Sequence, residues 1–347
     1  MIFVGDIALP KKKIIKINDL PSHLQDKKWL ANLEGPLLGE KEITSDINGV
    51  YNNYEAIREL NSHFDIAAFT LANNHILDSS TIKKTIQRLN DLDIPYVGAG
   101  VDSKTASESL IIREEHTDVV ILNFGWEVIQ CPIANTNREG VNPLTKKNVI
   151  QQVKKSLSEH PNKKIICIMH WGYELESEPQ PFERELAKKI IDIGVDGVIG
   201  AHSHRIGGIE IYKGAPIVYS LGNWLFKQNY YYDGKVMFPD FCSLQLAFEW
   251  DFNSNKIKFH FFKFDVETSA LDYCYSEDIT GETLLDHTPF NNLNSKDYSK
   301  WYRKNHYHKN KGLPIYYWED SPFLKKIKDK FNKIRDLIIS YFHKRNL

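Results

Sequence analysis

The chain has 347 residues, of which 42% are hydrophobic and 26% are charged, as in ordinary globular proteins. Its 44 lysines and arginines nearly balance 45 aspartates and glutamates, which leaves a formal net charge of -1. This balance excludes a general electrostatic attraction to nucleic acid, and because no known reader motif occurs we expect no nucleic-acid partner. The four cysteines are scattered without a C-x-x-C pair, which excludes a disulfide framework and a thiolate zinc site.

The N-terminal residues and the length of the apolar runs predict the compartment. Residues 1–6 read as a buried strand that runs into a polar residue, whereas a signal peptide has basic residues followed by a longer apolar stretch. No apolar run approaches the roughly 20 residues that span a bilayer. We therefore expect a cytoplasmic protein with reduced thiols and without a signal peptide or transmembrane helix. The sequence leaves the oligomeric state open.

In chain order, residues 1–266 alternate between short apolar runs and amphipathic helical stretches. The runs are too short for helices and rich in β-branched residues, which predicts buried strands at 66–71, 119–122, 165–169 and 198–199. Helices are predicted from Ser80 to Leu92, after Ser/Thr caps, and from Phe182 to Ile193, after a proline. This alternation predicts an α/β domain built on buried sheet.

The pattern changes after residue 240. Residues 256–261 alternate with a period of two, which is typical of half-exposed antiparallel strands, so we expect 241–266 to form hairpin strands that extend one sheet. Residues 267–321 show little periodicity and predict an irregular linker or extension. We therefore expect a domain over 1–266, this extension, and a basic amphipathic C-terminal helix over 322–347.

The C-terminal helix is predicted from apolar residues at helical spacing between Phe323 and Phe342, with lysines between them. From Lys325 to Arg345 there are eight Lys or Arg and two Asp, a local net charge of +6. One interpretation is a solvated helix that docks on the domain or pairs with another subunit. The other is peripheral attachment of residues 323–342 to an anionic membrane, on its inner face.

Five short polar clusters stand at the ends of predicted strands, where α/β sheets place their ligand sites. Each cluster taken alone is explained by a helix cap or a hydrogen-bonded structural histidine. Five together favour a shared partner, because such polar groups are costly to bury alone and a divalent cation commonly accompanies them. The clusters are Gly5–Asp6, Asn32–Gly35, Asn73–His75, His170–Glu174 and His202–His204.

The side chains of these clusters predict the kind of ion. Imidazole nitrogens combined with carboxylate and amide oxygens suit manganese, zinc or iron rather than calcium. His202 and His204 are two residues apart on an extended segment, so they can face one ion or two adjacent ions. Asp6 and Glu34 supply negative charge that can hold two cations close, and two such ions activate water for hydrolysis.

His75 is the candidate proton donor for a leaving group. Asn74 beside it can bind metal while the imidazole of His75 stays free. Asp78, three residues further on, can orient the imidazole, although capping of the helix near Ser80 is a competing role.

With their neighbours, these clusters resemble the motifs of the CapA family. That family is named for poly-γ-glutamate capsule proteins and belongs to the calcineurin-like metallophosphoesterase superfamily. The resemblance implies a four-layer α/β/β/α sandwich with the site at the strand ends. Six motifs occur in the family's order and cover roughly residues 1–266, namely Gly5-Asp6, Asn32-Leu33-Glu34-Gly35-Pro36, Leu71-Ala72-Asn73-Asn74-His75-Ile76-Leu77-Asp78, Met169-His170-Trp171-Gly172-Tyr173-Glu174, Gly200-Ala201-His202-Ser203-His204 and Tyr219-Ser220-Leu221-Gly222-Asn223-Trp224.

The resemblance also implies roles for single residues. Glu34 stands where a bridging aspartate usually does, and His75 takes the place of the general acid. The positions that match the superfamily's metal ligands are Asp6, Asn74, His170, His202 and His204. Predicted to line a substrate pocket are Asn73, Glu174, Asn223 and Trp224. For the last two, the alternative is a turn residue followed by a core residue.

Two departures from the family pattern leave two functions open. The superfamily has a histidine two residues after its first aspartate, where this chain has Ala8, and many capsule proteins carry an N-terminal anchor not found here. The first function is a metal-dependent hydrolase, with one or two divalent ions, that acts on a phosphoester or on an amide-linked or sugar polymer in capsule or exopolysaccharide metabolism. The alternative is a non-catalytic accessory protein in capsule or poly-γ-glutamate assembly at the membrane.

Overall fold

The computed structural model describes residues 1–12, 15–44, 47–115, 117–232, 234–279, 284, 287–306 and 312–344. Its strands are β1 (Ile2–Ala8), β2 (Lys16–Asn18), β3 (Lys28–Leu33), β4 (Leu37–Leu38), β5 (Asn52–Asn53), β6 (Asp65–Thr70), β7 (Tyr96–Val97), β8 (Ala99–Gly100), β9 (Leu110–Arg113), β10 (Asp118–Gly125), β11 (Gly140–Val141), β12 (Lys164–His170), β13 (Gly197–Ala201), β14 (Ile209–Tyr212), β15 (Ala215–Val218), β16 (Asn223–Phe226), β17 (Leu244–Asp251), β18 (Lys256–Asp265) and β19 (Ala270–Asp278). Its helices are α1 (Ser22–Gln25), α2 (Tyr54–His63), α3 (Ile82–Asp91), α4 (Ser103–Ala106), α5 (Lys146–Glu159), α6 (Pro181–Ile193), α7 (Ser295–His306) and α8 (Pro322–Lys344).

Two large sheets carry most of these strands. The first has the order β2-β19-β18-β17-β1-β3-β6-β7, with β16 paired to the end of β1, and the second has the order β14-β15-β13-β12-β10-β9. The strands β1, β3, β6 and β7 are mutually parallel, as are β10, β12, β13 and β15. Because parallel strands end at the same edge of a sheet, each sheet brings several carboxyl ends together.

The two sheets pack face to face through an apolar layer. Successive side chains of a strand point to opposite faces, so Phe3 of β1 and Ile121 of β10 enter this layer. Their neighbours Val4 and Val120 point outward into the apolar contacts with the helices. The helices α2 and α3 cover the first sheet, and α5 and α6 cover the second. The expected four-layer α/β/β/α sandwich is therefore confirmed.

The strands predicted from apolar runs are confirmed as β6, β10, β12 and β13, and the two predicted helices are α3 and α6. Thr81 caps α3, because its hydroxyl accepts a hydrogen bond from the Lys84 N–H at 3.3 Å. Pro181 opens α6, where a missing N–H costs nothing, and Gly194 with a φ of 126° ends it. Local residue chemistry is thus sufficient to explain where these helices begin and end.

β17 and β18 are antiparallel and extend the first sheet as predicted, but β18 is not half-exposed. Phe259 and Phe261 enter the layer between the sheets. Phe262, on the other face, is also buried, with ring centroids 5.0 Å from Trp224 and 5.4 Å from Tyr273. The prediction of a solvated face was wrong because the side chain of Trp224, from β16, covers that face.

The described parts of residues 267–321 are not an irregular linker. They contain β19, which pairs with β18, and α7, which packs on α6. Tyr298, Tyr302 and Tyr316 are buried, so the segment belongs to the packed body of the protein. The sequence pattern did not predict this packing because tyrosines count as polar in the pattern, although their rings pack in the core. The hydroxyl of the buried Tyr298, for example, donates a hydrogen bond to the Pro179 carbonyl at 2.5 Å.

The predicted C-terminal helix is confirmed as α8, and residues 345–347 of that prediction lie outside the described residues. Within the described chain, no helix combines the length and apolarity that crossing a membrane requires.

One ion-pair cluster attaches α7 to the loop after β12. His306 is buried, with its Nδ1 atom 2.8 Å from Glu176 Oε2 and its Nε2 atom 3.0 Å from Glu178 Oε2. Its ring also stacks on Tyr302 at a centroid distance of 4.1 Å. Burial lowers the pKa of His306, but the two carboxylates outweigh burial and raise that pKa to about 9. The imidazolium therefore holds α7 against a loop that leads away from His170.

We predict a pH-dependent stabilisation from this cluster. Because the folded-state pKa of about 9 exceeds the ordinary value of 6.5, the stabilisation is complete below pH 6.5 and is lost as the pH rises through 9. Its size is on the order of 2 kcal/mol, since the shift corresponds to about 3 kcal/mol and solvent screens the part-exposed carboxylates. Urea unfolding of the wild type and His306→Gln should show a gap in unfolding free energy that shrinks across this range. The exposed His63→Gln is the control, and a constant gap for His306→Gln would contradict the prediction.

Candidate metal centre

The polar clusters of the two sheets meet at one edge of the sandwich. Asp6 lies near the end of β1, Glu34 follows β3, His170 ends β12, and His202 follows β13. All four side chains are buried. Ligand atoms of Asp6, Glu34 and His170 lie within 4.8 Å of one another, and so do those of Glu34, His202 and His204. Glu34 is shared by the two groups and therefore lies between two adjacent positions for an ion.

Asp6 is held by groups from both sheets. Its Oδ1 atom accepts a hydrogen bond from Asn32 Nδ2 at 2.8 Å, and its Oδ2 atom accepts one from the His202 N–H at 3.1 Å. The preceding Gly5 allows β1 to approach residue 222, because a Cβ atom at Gly5 would lie 1.8 Å from the Gly222 carbonyl oxygen. The Asp6 N–H donates to that same carbonyl at 3.0 Å. Backbone packing thus fixes the direction of the Asp6 carboxylate.

Asn32 lies within the candidate site, although we predicted it only as part of a cluster and not individually. Its Nδ2 atom donates to Asp6 Oδ1 and also to Glu34 Oε2, the latter at 2.6 Å, so one amide holds both carboxylates. A signal was available in the sequence, because Asn32 and Glu34 are two residues apart at the end of a strand and therefore share a face.

His170 faces the predicted ligands Asn74 and Glu34. Its Nε2 atom lies 2.9 Å from Asn74 Oδ1 and 3.7 Å from Glu34 Oε1, and its ring centroid is 4.9 Å from that of His202. Three buried atoms of the cluster have no hydrogen-bond partner among the described residues: Glu34 Oε1, His170 Nδ1 and His202 Nδ1. Buried polar atoms without partners are rare, and these are ligand types that a divalent cation takes.

The electrostatics of the cluster also fit a cation. Burial raises the pKa of Asp6, and burial together with the charge of Asp6 raises the pKa of Glu34 well above its usual value. Burial and the neighbouring imidazoles lower the pKa of His170 and His202 well below the usual value. No lysine or arginine of the described chain pairs with either carboxylate. Neutral imidazoles beside carboxylates without a protein cation are a donor set for a divalent metal ion.

Asn223 positions His204. Its Oδ1 atom lies 2.8 Å from His204 Nδ1, a contact that suits a proton on Nδ1 and leaves Nε2 for an ion. The ring of His204 stacks on Phe238 at a centroid distance of 4.4 Å. Asn223, which we predicted to line the substrate pocket, instead contacts the predicted metal ligand His204 and orients its imidazole.

The backbone at the two histidines is strained. His202 has a φ of 99° and His204 a φ of 56°, values that residues other than glycine adopt infrequently. Such strain persists where the surrounding structure enforces it and is concentrated at functional sites. Here the strained backbone ends β13 and places His202 and His204 beside the carboxylates.

His75 lies beside the cluster in the loop after β6. Its Nδ1 atom is 2.7 Å from Asp78 Oδ2, which also accepts hydrogen bonds from the Val50 N–H at 3.0 Å and the Tyr232 hydroxyl at 3.5 Å. The His75 side chain is 17% exposed, and Asp78 engages its Nδ1 atom. Asp78 therefore orients His75, and the competing role as a helix cap belongs to Thr81.

The remaining predicted pocket residues do not come together at the site. Asn73 is buried, and its amide bonds to backbone groups, donating to the Leu33 carbonyl at 2.7 Å and accepting from the Gly35 N–H at 3.2 Å. Trp224 lies in the core, where it covers β18, so the alternative of a core residue describes it correctly. Glu174 is exposed at the rim, where its charge helps to raise the pKa of Glu34 after the larger effects of burial and Asp6.

The family model for the bacterial capsule synthesis protein PGA_cap matches residues 22–228, more than half of the chain. The chain belongs to this family.

Curated relatives of this PGA_cap protein include proteins from two Bacillus species and from Mycobacterium tuberculosis. The capsule biosynthesis protein CapA of Bacillus anthracis is 27% identical over 66% of this chain and 60% of its own length. The PGA biosynthesis protein CapA of Bacillus subtilis (strain 168) is 27% identical over 58% of this chain and 53% of its own. A Mycobacterium tuberculosis (strain CDC 1551 / Oshkosh) protein named "Probable polyglutamine synthesis accessory protein" is 31% identical over 56% of this chain and 54% of its own length. The chain thus spans little more than half the length of these relatives.

In this PGA_cap protein the surroundings of Ala8 are apolar. Ala8 is fully buried and belongs to a cluster with Tyr51, Phe226 and Tyr231. The register of β1 shifts between Asp6 and Ala8, so the two residues are not related by regular strand alternation. Aromatic rings occupy the space beside Ala8, and no imidazole stands at this position after Asp6.

We predict that Asn223→Ala weakens metal binding about 10- to 100-fold, because His204 loses the partner that fixes its orientation. Calorimetric titration of the metal-free protein with manganese measures this affinity. Asn253→Ala removes an exposed asparagine from the turn between β17 and β18 and serves as the control. An unchanged affinity in Asn223→Ala would show that His204 does not bind the ion.

Proposed function

We propose that this PGA_cap protein is a metal-dependent hydrolase of capsule or poly-γ-glutamate metabolism. The observation that carries the proposal is the buried cluster of Asp6, Glu34, His170 and His202, which brings carboxylate and imidazole ligand atoms close together and leaves Glu34 Oε1, His170 Nδ1 and His202 Nδ1 without a hydrogen-bond partner among the described residues. Burial of two adjacent carboxylates is costly without a cation, so selection for stability alone does not explain the cluster. Manganese, zinc or iron, as one or two ions, suits the donor set of His, Asp, Glu and Asn74.

When bound, a divalent cation would supply Lewis-acid chemistry, making water more acidic and stabilising negative charge on the attacked group. The residues that would hold it are Asp6, Glu34, Asn74, His170, His202 and His204. Asn32 keeps the two carboxylates apart at a fixed spacing, and Asn223 keeps His204 in one orientation. The protein therefore supplies a rigid donor set before any ion binds.

His75 supplies the proton in this proposal. Asp78 accepts the Nδ1 proton of His75, which fixes the orientation of the ring and leaves Nε2 for the substrate. The Val50 N–H and the Tyr232 hydroxyl hold the same carboxylate oxygen, so Asp78 itself cannot rotate freely. His75 then donates its Nε2 proton to the departing oxygen or nitrogen of the substrate.

A cavity borders Asn223, the residue that holds His204. It has a volume of about 480 Å³ and begins at Asn223, behind His204. Its walls include the apolar rings of Phe226 and Phe238 and the polar ends of Gln228 and Lys263. Volumes of this size hold drug-sized ligands, so a few units of an amide-linked or sugar polymer fit as well as a small phosphoester. The names of the relatives favour the polymer, specifically poly-γ-glutamate.

We predict that His75→Gln lowers turnover about 10²- to 10⁴-fold without removing the metal, because the variant keeps the volume of the side chain but cannot transfer a proton. Hydrolysis of aryl phosphoesters and of γ-linked glutamate oligomers measures turnover, and elemental analysis measures the bound metal. The exposed His63→Gln is the control. Unchanged turnover in His75→Gln would remove His75 from the mechanism.

A second candidate function is a non-catalytic accessory role in capsule or poly-γ-glutamate assembly. It is favoured by the apolar packing at Ala8, the position where the superfamily has a histidine. The name of the mycobacterial relative also favours it. Complementation of a capsule-deficient strain separates the two candidates, since His170→Ala abolishes capsule production by a hydrolase and leaves production by an accessory protein intact.

A further inference from the structure

The C-terminal helix α8 exposes its apolar side chains. These are large side chains that a docked helix would normally bury against the domain. Their exposed fractions are 75% for Phe323, 41% for Leu324, 49% for Ile327, 51% for Phe331, 48% for Ile334, 70% for Leu337 and 51% for Ile338. The contiguous exposed stripe marks an interaction surface and not a scattering of single residues.

α8 contacts the domain through its polar side. Asn332 is 3% exposed, and its Nδ2 atom donates to the hydroxyls of Tyr173 at 3.1 Å and Tyr316 at 3.2 Å. Asp329 accepts a hydrogen bond from the Tyr316 hydroxyl at 2.9 Å. Lys328 donates to the Ile315 carbonyl at 2.7 Å. Hydrogen bonds therefore hold the helix in place, while its apolar stripe is turned away from the domain.

The two sides follow from helical geometry. With 3.6 residues per turn, Phe323, Ile327 and Ile334 lie about half a turn around the helix from Asn332. Lys326 and Lys330 are exposed along one border of the apolar stripe, whereas Lys328, beyond the other border, is bound to the domain through Ile315 and Asp320. An exposed apolar stripe with basic side chains at its border is the pattern of helices that lie in the interface of an anionic membrane.

We propose that α8 attaches this protein to an anionic membrane surface. The apolar stripe enters the boundary between headgroups and acyl chains, and the exposed Lys326 and Lys330 meet the acidic headgroups. A second copy of the chain fits less well, although the spacing of 324, 327, 331, 334 and 338 resembles a coiled-coil seam. Two copies would bring basic flanks of the same sign together, whereas acidic lipids complement them.

Attachment through α8 would also bring the metal centre toward the membrane. Tyr173, to which Asn332 donates, is three residues after His170, and Lys333 lies 3.1 Å from Glu127, which follows β10. Both contacts are therefore at the carboxyl edge of the second sheet, the edge that carries the site. If the proposed hydrolase function is correct, its polymer substrate reaches the enzyme at the membrane; membrane binding itself does not depend on that function.

Flotation of the full chain with lipid vesicles tests the proposal. We expect binding to vesicles that contain phosphatidylglycerol to exceed binding to pure phosphatidylcholine vesicles at least tenfold, and the excess to fall at high salt. The double variant Phe331→Ser with Ile334→Ser should lose at least tenfold in binding to the acidic vesicles, and so should Lys326→Gln with Lys330→Gln. The control is Lys154→Gln with Lys155→Gln, which removes the same charge from exposed positions of α5.

Circular dichroism and bound-metal content confirm that each variant is folded, independently of any hydrolytic activity. Equal binding of wild type and both α8 variants to the acidic vesicles would overturn the proposal. It would also be overturned by a wild-type dimer in sedimentation that Phe331→Ser with Ile334→Ser converts to a monomer, combined with no binding to acidic vesicles. That result would assign the stripe to a second copy of the chain.

Discussion

The burial of Asp6 and Glu34 side by side is the constraint on which the structure of the site depends. An ionised carboxylate in a dry interior costs several kcal/mol unless it is neutralised, and no lysine or arginine of the described chain pairs with either one. Among the residues that the structure describes, the amide of Asn32 is the one side-chain group that donates hydrogen bonds to both carboxylates. The surrounding imidazoles of His170 and His202 are held neutral by burial, so they cannot supply the missing charge. A divalent cation satisfies all of these groups at once, which explains why the two sheets bring them to one edge.

The fold could be predicted where local chemistry decides it. The runs that became β10 and β12 have apolar side chains on both faces because both faces of each sheet are covered, and the ends of α3 and α6 follow from Thr81, Pro181 and Gly194. Where distant parts of the chain decide burial, the prediction was wrong. The alternation in β18 suggested a solvated face, but Trp224 covers it, and no local pattern contains that contact. The packing of residues 267–321 was missed for the same reason.

Most of the candidate site could also be predicted, because its residues follow strand ends and parallel strands bring those ends together. What the sequence does not contain is the direction of each side chain. Asn223 and Asn73 stand in the expected motifs, yet one orients His204 and the other bonds to the backbone around Glu34. The apolar cluster at Ala8 likewise depends on Tyr231, more than 200 residues away along the chain. For α8, the sequence predicted the amphipathic pattern of the helix. It did not predict that the polar side docks on the domain through Asn332.

The most direct test is to count metal ions in the purified protein by elemental analysis, after equilibration with manganese or zinc and removal of the excess. Wild type and His202→Ala should be compared, because His202 belongs to the buried ligand group that contains Glu34 and lies in a loop, outside the helices that cover the sheets. We expect one or two ions per wild-type chain, as two adjacent ligand groups imply, and a loss of bound metal in the variant. Absence of metal from the folded wild type would contradict the account and leave the buried carboxylates without their counter-charge.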